Sequence, residues 1–94
     1  MLLVHGIAEH SGRYEHVGSF FAEREIDALS FDLPGHGESA GRRGHIDSFS
    51  EFLDEVEALL AERRTLGVPT ILLGHSLGGL ISSTYAVSGR PQPD

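Results

Sequence analysis

Ser76 stands inside Gly74-His75-Ser76-Leu77-Gly78, a G-x-S-x-G pattern. The chemistry this pattern serves is nucleophilic acyl transfer. A serine on a very tight strand-to-helix turn projects its hydroxyl above the sheet, where it can attack an acyl carbonyl. Side chains at the flanking positions would collide in so tight a turn, so glycine is required at 74 and 78. Gly79 is expected to add a close approach between the following helix and neighbouring strands. That helix begins beside Ser76, so its first amides point to where a tetrahedral oxyanion would form. A second donor is expected at His5-Gly6-Ile7, which closes an earlier apolar run. The backbone N–H groups of Ile7 and Leu77 would form the pair, and neither role depends on side-chain identity.

Competing motifs fare less well. Gly37-Glu38-Ser39-Ala40-Gly41 is a second G-x-S-x-G match, but it follows Pro34 and a loop, and Arg42, Arg43 and Gly44 follow where a helix should open. Gly35-His36-Gly37-Glu38-Ser39-Ala40 fits a loose dinucleotide fingerprint. It too opens no helix, and no acidic strand end follows about 20 residues later. The six histidines contain no H-E-x-x-H, and His5 to Glu9-His10 is one residue too long for H-x-x-E-H. Neither a metal nor a cofactor is therefore expected. Apart from His75 in the elbow, the histidines read as loop hydrogen-bonders. Asp32 precedes Ser76, whereas elbow hydrolases order their triad Ser, then Asp or Glu, then His. Its expected role is to hold the loop that follows it.

The elements that must position Ser76 alternate short apolar runs with longer helical ones. Leu2 to His5 reads as a strand. Arg13 to about Glu25 reads as a helix with Tyr14, Val17, Phe20 and Phe21 on one face. Ile26 to Asp32 reads as a second strand, ended by Pro34-Gly35. An aperiodic loop rich in Gly, His and Arg runs to about Asp47. Ser48 and Glu51 then form a capping box ahead of Phe49, Phe52, Leu53, Val56, Leu59 and Leu60 at helical spacing. Early acids and late Arg63-Arg64 suit that helix's dipole, and Gly67 and Pro69 stop it. Thr70 to Leu73 reads as a buried strand, Leu77 to about Val87 as a last helix, and Gly89 to Asp94 as a polar tail. Strands alternating with helices imply an α/β fold: a parallel sheet of about three strands joined by right-handed crossover helices, with the elbow after the last strand.

Composition agrees. The chain has 94 residues, 39% hydrophobic and 22% charged, with a formal charge of −7 and no cysteine. That is room for one domain, with no disulfide framework and no thiolate metal site. All seven basic residues are arginine and only Arg42-Arg43 and Arg63-Arg64 adjoin, which argues against a nucleic-acid partner. No stretch approaches the roughly 20 apolar residues of a membrane span, and Met1-Leu2-Leu3-Val4 lacks the pattern of a signal peptide. A cytoplasmic or membrane-peripheral location is expected. The opening reads as a strand entered part-way, which predicts that the true N-terminus lies upstream.

Four stretches in order carry a family resemblance. His5-Gly6-Ile7-Ala8-Glu9-His10-Ser11-Gly12-Arg13-Tyr14 resembles the H-G-x-x-E-H-S-x-R-Y signature of monoacylglycerol lipases and related bacterial lysophospholipase-like α/β-hydrolases. Asp32-Leu33-Pro34-Gly35-His36-Gly37-Glu38-Ser39, Arg43-Gly44-His45-Ile46 and Leu73-Gly74-His75-Ser76-Leu77-Gly78-Gly79 match as well. The resemblance implies cofactor-free hydrolysis of a monoacylglycerol, lysophospholipid or similar carboxylic ester, with Ser76 as nucleophile. Contact with a membrane surface is expected only from such lipid substrates. It also implies an acid and a histidine base far downstream of the elbow and a lid over the acyl tunnel. After Ser76 the only acid is Asp94, and the last histidine is His75. Residues 1–94 therefore read as the N-terminal portion of one α/β-hydrolase domain, inactive by itself. The alternative is a non-catalytic binding module retaining half of the fold.

Overall fold

The opening apolar run becomes the middle of the sheet. In a computed structural model, which describes residues 1–6 and 10–94, β1 (Leu2–Val4) lies between β2 (Leu29–Ser30) and β3 (Leu72–Gly74). Both pairings are parallel, with Leu2 opposite Leu29 and Leu72, and Val4 opposite Gly74. A 3-10 turn (Ser11–Tyr14) leads into α1 (Glu15–Ala22). The other helices are α2 (Ser50–Arg64) and α3 (Leu77–Ala86). The expected three-stranded parallel sheet with crossover helices is what the chain forms.

Alternation along the strands decides the layers. Leu2 and Val4 point to one face and join Leu33, Phe52, Leu53, Val56, Leu60, Ile81 and Tyr85 in a single core, with α2 and α3 above it. Leu3 points to the other face, toward α1. That layer is thin: α1 contains no buried residue, and Phe20 on its expected apolar face is half exposed.

All three expected strands prove shorter, the second most of all. Ile26 and Asp27 do not enter the sheet, and the end of α1 uses Ile26. Glu25 takes a left-handed conformation (φ 64°), and the amide of Ile26 bonds back to the Phe21 carbonyl at 3.0 Å. This is the Schellman way of closing a helix, here without glycine. Nor is the third strand buried as expected. Leu72 packs on the core, but Ile71 and Leu73 face the thin α1 layer and are 60% and 37% exposed. The capping box is half formed. Glu51 reaches back to the Ser48 amide at 3.5 Å, while Ser48 Oγ accepts from the Ser50 amide at 3.4 Å rather than from residue 51.

The polar tail is tied down. Arg90 bonds Asp54 at 2.7 Å and Glu57 at 3.1 Å, Tyr85 donates to the Pro91 carbonyl at 2.6 Å, and Asp94 pairs with the backbone of Thr70.

Parallel strands are ordinarily covered on both faces, and open edges recruit other chains. Here Ile71, Leu73, Leu80 and Val87 leave apolar surface open. The 94 residues by themselves are therefore expected to self-associate and to unfold without a sharp transition. Sedimentation together with a thermal melt checks this; a monomer with a cooperative melt contradicts it.

Candidate active site

The turn from β3 into α3 is as tight as its glycines suggest. Ser76 has φ 56° and ψ −115°, a conformation that side-chain-bearing residues rarely adopt. It is exposed at the C-terminal end of the sheet. A Cβ on Gly74 would lie 2.1 Å from the Gly78 carbonyl oxygen. One on Gly78 would lie 1.9 Å from the Val4 carbonyl oxygen and 2.7 Å from that of His5. All of these are backbone atoms that cannot swing aside. Glycine at 74 closes the turn on itself, and glycine at 78 lets α3 sit on the end of β1. Gly79 behaves otherwise. A Cβ there would meet the Gly74 carbonyl oxygen at an ordinary 3.5 Å, so the close approach expected of it is not formed.

Around the turn, the amide of His75 continues the ladder to the Val4 carbonyl at 3.1 Å, and its ring nitrogen Nδ1 lies 3.2 Å from the Tyr14 hydroxyl. Leu77 is the first residue of α3, so its N–H belongs to the first-turn amides that have no acceptor within the helix. Ile7, the other expected oxyanion donor, lies outside the described residues, as do Ala8 and Glu9 of the same motif.

The second G-x-S-x-G is no elbow. Ser39 donates to the Asp32 carbonyl within a loop whose glycines Gly37 and Gly41 have φ of 52° and 110°. Arg43 clamps that loop through the carbonyls of Gly37, Ser39 and Gly41. His10, His36 and His45 bond within loops, as expected, whereas His16 lies in α1. His10 Nδ1 accepts from the Gly12 amide at 3.1 Å, and His45 contacts Asp47 at 2.8 Å. His5 is fully buried. Its Nε2 accepts from the Leu33 amide at 3.0 Å and its Nδ1 lies 2.7 Å from the Gly6 carbonyl, so the proton sits on Nδ1. His36 packs at 5.3 Å from the His5 ring, with Nδ1 toward the Pro34 carbonyl. Among the described residues no three His, Asp or Glu side chains gather where they could hold a metal.

Asp32 does hold the following loop, and it does more. Its Oδ2 accepts from the Glu38 amide at 2.9 Å, and its Oδ1 accepts from the Ser11 amide at 2.7 Å. The room for this is made by Gly37, where a Cβ would fall 2.3 Å from the Asp32 carboxyl carbon. The Ser11 contact joins residues far apart in sequence and has no local signature. The amide of Glu38 first, and that of Ser11 second, hold the Asp32 carboxyl down at about 2, below the ordinary aspartate value of about 3.9. The unfolded chain therefore takes up the proton first as pH falls. The stability that Asp32 contributes is complete above about pH 4 and is lost as pH drops toward 2. Urea melts across this range should show wild type and Asp32→Asn converging at the acid end. A gap that stays constant below pH 4 would contradict the assignment.

Among the described residues, neither Asp94 nor Asp32 is placed to serve Ser76 as its acid. Asp94 is bound to Thr70, two residues before β3. At about 3.3 Å per extended residue that is roughly 15–20 Å from Ser76. Asp32 has both carboxylate oxygens engaged by amides.

Comparison with known proteins gives the family and the fold. The family described as serine aminopeptidase, S33, matches residues 1–94. Phospholipase YtpA of Bacillus subtilis is 40% identical over 90 residues, covering 96% of this chain and 35% of that protein. A monoacylglycerol lipase of Mycolicibacterium smegmatis is 40% identical over 87 residues, covering 90% of this chain and 31% of that protein. The crystal structure of Paleococcus ferrophilus monoacylglycerol lipase superposes with a TM-score of 0.79 at 42% identity, over 90% of this chain and 32% of that one. The sheet and helices described above are thus part of an α/β-hydrolase fold. The chain spans about a third of the length of these relatives.

Proposed function

This chain belongs to the serine aminopeptidase S33 family of hydrolases, and from that premise we propose that the protein it forms part of is a serine hydrolase of carboxylic acyl esters, with Ser76 as nucleophile. The observation that carries this reading is the backbone of Ser76, held at φ 56° between two glycines whose absent side chains make the turn possible. Sparsely populated conformations of this kind persist where the surroundings over-determine them, and they gather at functional sites.

Ser76 Oγ would attack the acyl carbonyl as a histidine from outside these 94 residues takes its proton. The ester C–O bond then breaks, and the alcohol leaves with that proton. Water, deprotonated by the same base, releases the acid from the acyl-enzyme and restores the serine. The amides of Leu77 and Ile7 would bind the oxyanion, each contributing about 3 kcal/mol. The names of the relatives favour a monoacylglycerol or a phospholipid as substrate, and the motif resemblance adds a lysophospholipid. Such substrates would bring the protein to a membrane surface, and no helix among the described residues is long and apolar enough to cross one. The chemistry calls for no cofactor. These residues alone, lacking acid and base, would be inactive.

Labelling with a fluorophosphonate probe tests the reading, on this chain and on the protein extended to its natural stop codon, each beside its Ser76→Ala control. Labelling of the extended protein that is lost in its control is the expected result. If neither version labels, the non-catalytic binding module becomes the better description.

A further inference from the structure

The 3-10 turn Ser11–Tyr14 touches the site at both of its ends. At its start, the Ser11 amide is bonded to the Asp32 carboxylate at 2.7 Å, and at its finish the Tyr14 hydroxyl lies 3.2 Å from His75 Nδ1, beside the nucleophile. Between the two, the His10 ring caps the turn by accepting from the Gly12 amide. From these contacts we propose that Asp32 and Tyr14 are positioning residues for Ser76, acting together through this turn as a strut between the loop after β2 and the elbow.

The physical case is one of constraint. Ser76 sits in a conformation that relaxes unless the residues around it hold it. Its backbone is held from beneath by the His75 amide on Val4 and by Gly78 against β1. Sideways support comes through the His75 ring, which Tyr14 engages across a sequence separation of 61 residues. Tyr14 can brace His75 only if its own turn is fixed, and the turn's first amide is tied to a carboxylate. That carboxylate is itself fixed by the Glu38 amide and set into the space left by Gly37. An anionic acceptor makes a shorter and stronger bond than a neutral one, which suits a part whose task is to stay still. A shift of the order of 1 Å at a nucleophile lowers turnover about 100-fold, so even a partial release is measurable.

The inference rests on the serine-hydrolase reading above, and its test separates the two. In the extended protein, kcat and KM for a short-chain p-nitrophenyl ester are measured per active site titrated with the fluorophosphonate, for Asp32→Asn, Tyr14→Phe and the double variant. Each single change should lower kcat about tenfold with KM within about twofold. The double variant should fall no further than either single one, because both act through one turn. Arg90→Met, which unties only the polar tail from Asp54 and Glu57, should lose thermal stability and keep its kcat per titrated site. Unchanged kcat per site in Asp32→Asn or Tyr14→Phe overturns the proposal, as do two losses that multiply in the double variant. Failure of the hydrolase reading shows elsewhere, as full activity in Ser76→Ala.

Discussion

Ser76→Ala in the extended protein is expected to abolish ester hydrolysis, with a fall in kcat on the order of 10⁶-fold. Neither Ser39 of the second G-x-S-x-G nor Ser82 beside the turn can substitute for it. Ser39 is locked to the Asp32 carbonyl within a loop, and Ser82 Oγ donates to the Gly78 carbonyl inside α3. Ser76→Gly should lose activity as fully while moving stability in the opposite direction from most substitutions. Glycine occupies positive φ without steric penalty, whereas alanine carries the same Cβ as serine. Holding Ser76 at φ 56° and ψ −115° is a strain of about 1–3 kcal/mol by the usual measure of such conformations. A melting temperature higher in Ser76→Gly than in Ser76→Ala, with both inactive, would show catalytic geometry maintained against local strain. Equal melting temperatures would mean that the turn is relaxed, and hydrolysis surviving in Ser76→Ala would remove the nucleophile assignment.

The second large effect separates two neighbouring glycines. Gly78→Ala places a methyl group 1.9 Å from the Val4 carbonyl oxygen, a backbone atom that cannot swing aside. Relief requires α3 to move off β1, opening the core at Ile81 and Tyr85 and dragging the elbow with it. The expected destabilisation is at or above the roughly 3 kcal/mol typical of severe overpacking, and activity should fall with it. Gly79→Ala meets only an ordinary 3.5 Å contact. Inside a helix, alanine is favoured over glycine by up to about 1 kcal/mol, so this variant should be neutral or more stable with activity retained. Urea denaturation of both, side by side, decides the matter. Equal losses would mean that the packing of α3 on β1 is not as described.

Much of this protein is legible from residue order, because the features concerned are local. Tight turns admit few residue types, so G-x-S-x-G after an apolar run and ahead of a helix already specifies the elbow. Strand and helix alternation specifies parallel crossovers, and the 3.6 spacing of Phe52, Val56 and Leu60 specifies the buried face of α2. The loop role of Asp32 is legible for the same reason, since its partners Glu38 and Ser39 lie within a few residues.

Other features depended on which segments meet. The length of β2 was decided by the end of α1, where Glu25 entered a left-handed turn with no glycine to announce it. The exposure of Ile71 and Leu73 followed from how little α1 covers, which no property of the run Thr70 to Leu73 reveals. Gly74, Gly78 and Gly79 look alike in sequence, and only the approach of the Val4 and Gly78 carbonyls separates them. The bonds from Asp32 to Ser11 and from Tyr14 to His75 join stretches 21 and 61 residues apart. Sequence by itself determined the local conformations, because sterics and periodicity act over a few neighbouring residues. Tertiary structure alone decided the long-range partners, because a hydrogen bond or a close backbone contact belongs to two segments and is written in neither.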